Sequence, residues 1–486
     1  MKSIRLRFLV TSLAIAAGLV TDAARAAEPT QPPNIVFILT DDQGWADLKT
    51  PMDPAVPEGA CEYFHTPNLD RLAREGMRFS SGYAPAPFCT PTRRSIQFGM
   101  TPARQRGTEF VSDSFMPEGH LSIPQALRRA NPAYRCAHFG KWGEFMSGPE
   151  TPPPDYDPNM AANPTALGYD ESDGLTGNLT GTQYFSAEKA KLNDVLSPDP
   201  DPKRTFSVTQ RAVDFMERRA ADKKPFYLQV SYYAVHLALQ ALPETIAQYK
   251  DRGLPPRQVI AGMAPMLEDL DTGVGQVLET IDRLGLADNT YVFFASDNGG
   301  QLDEQAKSHK EWVERNYPLK GAKLLLTEGG IRVPFLVRGP GVQPGSVCRE
   351  PVAQYDLLPT FYALAGGREP LPKEVDGGDL GPLLENAGAG SVQRPLPGLV
   401  FHRPASKQQP SSALRQGDYK LTLMWSGPWQ VKHRELFNLA EDIGERNNLA
   451  DSMPEKAAEM ERLLVGYLKS VNAETAPPPS SAPAGK

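Results

Sequence analysis

The sequence predicts an α/β fold: a large doubly wound mixed sheet flanked by helices, with a smaller C-terminal α+β subdomain. Three observations carry this reading. Short apolar runs at Ile35 to Leu39, Tyr134 to Phe139, Phe226 to Tyr232, Tyr291 to Ala295 and Val333 to Val337 have the continuous hydrophobicity of parallel strands buried on both faces. Segments with a helical apolar repeat alternate with them. From about Gly388 the pattern changes to shorter strands and one closing helix.

Taken in order, the chain opens on Lys2, Arg5 and Arg7, then the apolar run Phe8 to Val20 and the small-residue stretch Ala24-Arg25-Ala26. This is the layout of a signal peptide over residues 1–26, and it implies an exported protein, periplasmic or secreted. The apolar run is too short for a membrane anchor, and no later stretch reaches the ~20 apolar residues of a span, so no membrane span is expected. A Pro-rich joint at Pro29, Pro32 and Pro33 leads into the main α/β domain, residues 33–387. Its clearest helix places Met266, Leu267, Leu270, Val274, Val277, Leu278, Ile281 and Leu284 on one face and stops near Gly285. Pro- and Asp-rich stretches, Pro149 to Pro158 and Ser197 to Pro202, read as surface loops. The C-terminal subdomain, residues 388–474, holds a strand at Tyr419 to Met424 and a helix from Pro454 with Met460, Leu463, Leu464, Tyr467 and Leu468 inward. Residues 475–486, rich in Pro, Ser, Ala and Gly, read as a disordered tail.

Composition narrows the function. The 486 residues carry a formal net charge of -7 and no basic run or basic-aromatic stripe that would follow a phosphate backbone, so nucleic acid is not an expected partner. The four cysteines, Cys61, Cys89, Cys136 and Cys348, have no spacing that suggests a disulfide framework.

Polar residues stand just past the carboxyl ends of four strands: Asp41-Asp42, Lys141, His236 and Asp297-Asn298. In open α/β sheets this edge is where ligands bind. Adjacent acids after a buried strand repel unless a cation screens them, and the oxygen donors of Asp41, Asp42, Asp297 and Asn298 suit a hard ion, calcium in preference to magnesium. Asp-Asp-Gln-Gly or Asp-Asn-Gly-Gly alone would serve equally as a turn; it is their joint occurrence at strand ends that points to a metal. Pro91 suits the first turn of a helix, which puts Cys89 at a helix N-terminus, where backbone donors favour an anion. Taken bare, such a cysteine also fits an ordinary buried thiol.

Cys89-Thr90-Pro91-Thr92-Arg93 with Gly99 resembles the C-x-P-x-R signature of type I sulfatases, members of the alkaline phosphatase superfamily, whose cysteine a formylglycine-generating enzyme oxidises to formylglycine. The resemblance extends over Ile35 to Gln43, Thr66 to Asp70, Gly140-Lys141-Trp142, Ser231 to His236, Ser296 to Gly300, Pro318 to Pro334, Asp356 to Gly366 and Glu435 to Leu439. It implies that Asp41, Asp42, Asp297, Asn298 and the modified Cys89 bind one divalent cation, usually calcium. It implies further that Arg93 holds the formylglycine and that Lys141, His236 and Lys323 contact the sulfate. The reaction expected is hydrolysis of a sulfate ester, on a sulfated carbohydrate, by one hydroxyl of the hydrated aldehyde, with Asp297 taking its proton and His236 protonating the departing alcohol.

One position departs from the pattern. The family usually has His directly after Gly-Lys-Trp, as the base for the second half of turnover, and this chain has Gly143, so either another group such as Glu144 or a water takes over or the enzyme stalls. His138 falls within a strand and is not placed there. Thr92 replaces the commoner Ser or Ala. Two other functions share parts of the pattern: a phosphate or phosphonate ester hydrolase of the same superfamily, and a non-catalytic binder of sulfated glycans in which Gly143 marks lost turnover.

Overall fold

A computed structural model of the chain describes residues 31–109, 119–143, 163–176, 197–250, 252, 262–301 and 315–478. The expected signal segment, the stretch Pro149 to Pro158 expected as a loop, and Glu144 lie outside the described residues. The five apolar runs all form strands of one eight-stranded sheet. Asn34–Thr40 lies at its centre, parallel to Thr290–Ser296 on one side and Phe226–Ser231 on the other, and Arg135–Gly140 continues the parallel part. Both faces are covered, which is why these runs are apolar without alternation. Val36 and Ile38 pack on one face with Leu228, Val230, Val292 and Phe294, against the helices Thr205–Asp222 and Met263–Arg283. Ile35, Phe37 and Leu39 pack on the other with Tyr227, Phe293 and Ala295, against Ile96, Phe98, Leu357, Leu358 and Phe361. Each large side chain buried this way contributes about 1.5–3 kcal/mol.

One of the expected parallel strands runs the other way. Phe335–Arg338 pairs antiparallel with Thr290–Ser296, Met77–Phe79 pairs antiparallel with it in turn, and the sheet is therefore mixed. A parallel neighbour needs a crossover back to the starting edge. Here the chain leaves Ser296 at the carboxyl edge, and Lys323 is still at that edge beside Asp42, so Phe335 enters from the same side and runs back down.

The C-terminal sheet is a four-stranded antiparallel meander, Leu399–Arg403, Ser411–Gln416, Tyr419–Gly427 and Gln430–Asn438, closed by the helix Pro454–Ser470. Val400, Leu414, Leu421, Leu423 and Leu436 meet Met460, Leu464, Tyr467 and Leu468 in its core, with Leu463 half-buried at the margin. A buried charge cluster fastens this sheet to the rest. Lys420 Nζ stands 2.9 Å from Glu328 Oε1 and 2.9 Å from Glu445 Oε1, and the Tyr83 hydroxyl donates to Glu328 Oε2 at 2.8 Å. The disorder expected from Thr475 does not begin there. Ala473 and Ala476 are small enough to bury against the C-terminal core, and Glu474 between them accepts from Thr108 N at 3.1 Å. All four cysteines are unpaired. Among the described residues no helix is long and apolar enough to cross a membrane.

Candidate active site

Strand ends bring the chemistry together. After Thr40 the chain turns at Asp41-Asp42. Asp41 N donates to Ala234 O (3.0 Å), Val235 N donates to Asp41 O (2.7 Å), and Asp42 takes φ 60°, held by Arg315 Nη2 on its carbonyl oxygen at 2.6 Å. Asp297-Asn298, past the neighbouring strand, stands beside it: Asp42 N donates to Asp297 Oδ1 (3.2 Å) and Asn298 Nδ2 donates to Asp42 Oδ1 (2.8 Å). Lys141, past the strand Arg135–Gly140, reaches Asp41 Oδ2 at 2.5 Å. Lys323 reaches Asp42 Oδ1 at 2.6 Å, and His236 Nε2 is 3.8 Å from Asp42 Oδ2.

The cysteine motif forms the helix Cys89–Phe98, with Cys89 its first residue, Pro91 in its first turn and Gly99 in the left-handed conformation after its end. Cys89 is buried, and its sulfur is near enough to Arg93, Lys141 and Lys323 that a negative charge there would favour their charged forms. Arg93, one turn on, sends Nε and Nη2 to Asp297 Oδ2 (3.0 and 2.7 Å) and Nη1 to Lys141 O (2.7 Å). One guanidinium thus ties the cysteine helix to two strand ends.

The oxygen donors fit a hard cation. Asp41 Oδ1 and Asn298 Oδ1 are buried and accept no hydrogen bond, a costly condition that a bound cation would relieve. Oxygens of Asp41 and Asp42 and a ring nitrogen of His236 lie within 4.8 Å of one another. Asp297 sits adjacent, with Arg93 on one oxygen and Asp42 N on the other.

The charges are unevenly tuned. Burial pushes Asp297 up, the charge of Asp41 adds to it, and Arg93 and Lys141 oppose, leaving it at about 6. For Asp41 burial is outweighed by Lys141, His236 and Arg93, and its carboxyl is held well below the usual range. Burial and the Lys323 charge push His236 down to about 4. His236 Nδ1 lies 2.7 Å from Leu237 O, and since a carbonyl only accepts, the Nδ1 proton points there. Neutral His236 therefore presents a bare Nε2 to the site and becomes an acid only on gaining a second proton.

Structure gives a local reason for Gly143. Its φ is +69°, and a Cβ there would lie 3.0 Å from Arg93 Cδ and 3.2 Å from Lys141 Cε. The backbone folds over the stem of Arg93, and a side chain fits only if the Arg93 or Lys141 stem gives way by a few tenths of an ångström. His138 is buried within its strand, as the sequence indicates, with its ring 3.0 Å from Ser231 Oγ and edge-on to Trp142.

Two residues at the site carried no usable signal in the sequence. Arg315, besides the Asp42 carbonyl, binds Asp47 Oδ2 through Nε and Nη2 at 3.1 and 2.8 Å. The stretch Ser197 to Pro202, expected as a surface loop, instead pairs Ser197–Pro198 with Gln240–Ala241 and ends in the short helical turn Pro202–Arg204, where Lys203 is buried and feels the charges of Asp41, Lys141 and Asp42, with burial pushing it down to about 7. Isolated basic residues in loops are the commonest kind of surface residue, and neither belongs to a motif.

Comparison with known proteins agrees with the geometry. The sulfatase family model matches residues 33–367, and that for the C-terminal part of N-sulphoglucosamine sulphohydrolase matches residues 322–473. Arylsulfatase A of Bos taurus is 30% identical, over 92% of this chain and 88% of its own. A sulfatase of Formosa agariphila is 28% identical, over 94% of this chain and 92% of its own. The crystal structure of Ps i-CgsB in complex with k-i-k-neocarrahexaose has a TM-score of 0.70 and 26% identity, covering 93% of this chain and 96% of that one. With the family model spanning most of the chain and the mixed sheet presenting its acids, lysines and cysteine at one edge, this protein belongs to the sulfatase family of sulfuric ester hydrolases.

Proposed function

We propose that this sulfatase hydrolyses a sulfate ester on a sulfated carbohydrate, using formylglycine formed from Cys89 and one calcium ion held by Asp41, Asp42, Asp297, Asn298 and residue 89. The observation that carries the reading is that the same two lysines link both parts of the site: Lys141 and Lys323 bind Asp41 and Asp42, beside the unsatisfied oxygens of Asp41 and Asn298, and both lie close enough to Cys89 at its helix start to feel a charge there. Carbohydrate is favoured by the neocarrahexaose complex of Ps i-CgsB, and export by the signal-like segment at residues 1–26. Maturation then requires a formylglycine-generating enzyme as a partner.

When present, the cation screens the paired acids, and the hydrated aldehyde supplies a hydroxyl nucleophile. The remaining work falls to the chain's own side chains. Lys141 and Lys323, one on each acid, stand where the sulfuryl oxygens gather charge, and buried ammonium groups stabilise that charge without reorganising. Arg93 holds Asp297, whose proton affinity burial and the Asp41 charge raise, and Asp297 is the group that takes the proton of the attacking hydroxyl. His236 is neutral beside two lysines, and the charge of a bound sulfate raises its proton affinity, so that it is protonated where the departing alcohol needs an acid. The crowding around Gly143 disfavours a side chain at that position, and we assign proton transfer in the second half of turnover to a water or Glu144.

The test is mass spectrometry of the tryptic peptide Phe79 to Arg93, from protein made together with a formylglycine-generating enzyme, followed by sulfate-release assays on sulfated sugars, an aryl sulfate and phosphate and phosphonate monoesters, with and without calcium. Aldehyde at position 89 with calcium-dependent sulfate release is expected. Aldehyde with phosphonate hydrolysis alone would place the protein among the phosphonate hydrolases, and aldehyde with glycan binding but no turnover would make it a binding protein.

A further inference from the structure

The C-terminal sheet reaches the reaction centre at Arg403, the last residue of the strand Leu399–Arg403. Its side chain is nearly buried and touches two separate segments. The guanidinium carbon lies 4.8 Å over the ring of Phe88, the residue that immediately precedes Cys89 and caps its helix. Nη1 donates at 2.6 Å to the carbonyl oxygen of Leu324, the residue that follows Lys323. Leu324 has φ 77°, a conformation that a leucine does not hold without support. Its N–H donates to Pro87 O at 2.7 Å, so the two segments also touch each other at this point, and Lys323 N donates to Gly300 O at 3.1 Å. Glu109 fixes the guanidinium from behind, accepting from Nε at 2.9 Å and Nη2 at 3.2 Å, while its own carbonyl oxygen accepts from Arg94 of the cysteine helix at 3.0 Å.

We propose that Arg403 is a positioning residue for sulfate-ester hydrolysis: it sets the distance between residue 89 and Lys323, and the C-terminal sheet is thereby part of the catalytic machinery. This rests on the site assignment above. A planar guanidinium suits the task, since one flat group stacks on a ring, forks onto a carboxylate and still has a donor for a carbonyl. A lysine in its place reaches one of these partners at a time.

The experiment compares wild type, Arg403→Met and Arg403→Lys by three measurements. These are the aldehyde fraction at position 89, kcat and KM for 4-nitrocatechol sulfate, and amide hydrogen exchange in peptides covering residues 84–90, 321–326 and 34–40. In Arg403→Met, exchange should quicken about tenfold or more in both site segments with the strand 34–40 unchanged. Its kcat should fall about tenfold or more with KM within about threefold and the aldehyde fraction unchanged. Arg403→Lys, which keeps the charge, should recover slow exchange at residues 84–90 but not at 321–326. Unchanged exchange in either segment of Arg403→Met, or a fall in kcat that only tracks lost aldehyde, overturns the proposal. If Arg403→Met does not fold, the same exchange contrast in Arg403→Lys decides it. Wild-type protein that carries the aldehyde and releases no sulfate from any ester would refute the assignment of function, whereas the exchange result would still decide whether Arg403 joins the two segments.

Discussion

Replacing Gly143 by alanine probes the position at which this chain departs from the sulfatase pattern. A left-handed backbone costs an L-residue about 1–2 kcal/mol. At an unfolding entropy of about 2.1 cal/mol/K per residue, a chain of this size then loses about 1–2 °C in Tm, so stability should hardly change. The activity loss should be larger. The new Cβ would lie 3.0 Å from Arg93 Cδ and 3.2 Å from Lys141 Cε, and Arg93 is pinned by its bonds to Asp297 and Lys141 O. Room is made only by moving the guanidinium or the lysine stem, and loss of one aligned donor in an active site costs about 10²–10³ in kcat. A partial shift should therefore lower kcat about tenfold to a hundredfold. Gly143→His, although it restores the usual family residue, should fall at least as far, because the larger ring meets the same atoms. The assay is initial-rate sulfate release from 4-nitrocatechol sulfate, normalised to the aldehyde fraction at position 89, alongside a thermal melt. Undiminished kcat in Gly143→Ala, or a gain in Gly143→His, would show that the position has room and that the crowding argument is wrong.

Cys89→Ala should abolish hydrolysis and leave Tm within about 2 °C, because a small buried side chain is exchanged for a slightly smaller one; retained activity would sink the formylglycine mechanism. Chelation by EGTA should abolish turnover and lower Tm, and calcium at about a hundredfold its Kd should return about 2.7 kcal/mol of stability. An unchanged melt with full activity in chelator would exclude the proposed ion. Stability should also fall in mild acid because of His402. Its Nε2 lies 2.9 Å from Glu474 O and its Nδ1 2.7 Å from Ser412 Oγ, while Trp425 Nε1 donates to Ser412 Oγ at 2.8 Å, an arrangement that satisfies the neutral ring. Burial pushes His402 down to about 4 from its ordinary 6.5, so the unfolded chain binds the proton first. The stability it gives is complete above pH 6.5 and is lost as pH falls toward 4, by about 3 kcal/mol at about 1.4 kcal/mol per pH step. Denaturation midpoints across that range, in wild type and His402→Gln, check it: equal slopes would show that His402 does not contribute.

Much of the fold and site was legible in the chain because the signals are local. A run such as Ile35 to Leu39 is apolar throughout because both faces of its strand are covered, and the polar pairs Asp41-Asp42 and Asp297-Asn298 follow such runs directly because a parallel strand ends where the ligand edge begins. Pro91 marked the helix start that holds Cys89, since its ring is tolerated in a first turn and not deeper. The sequence by itself therefore determined which strand ends and which helix start carry the polar residues, and so the edge of the sheet at which they gather. The tertiary structure decided what those residues touch. The reversed direction of Phe335–Arg338, the grip of Arg315 on Asp42, the crowding of Gly143 by Arg93 and the reach of Arg403 to Phe88 and Leu324 all join segments tens to hundreds of residues apart. Such contacts leave no periodicity and no motif, because hydrophobic spacing records which side of an element is buried and carries no information about which distant side chain arrives there.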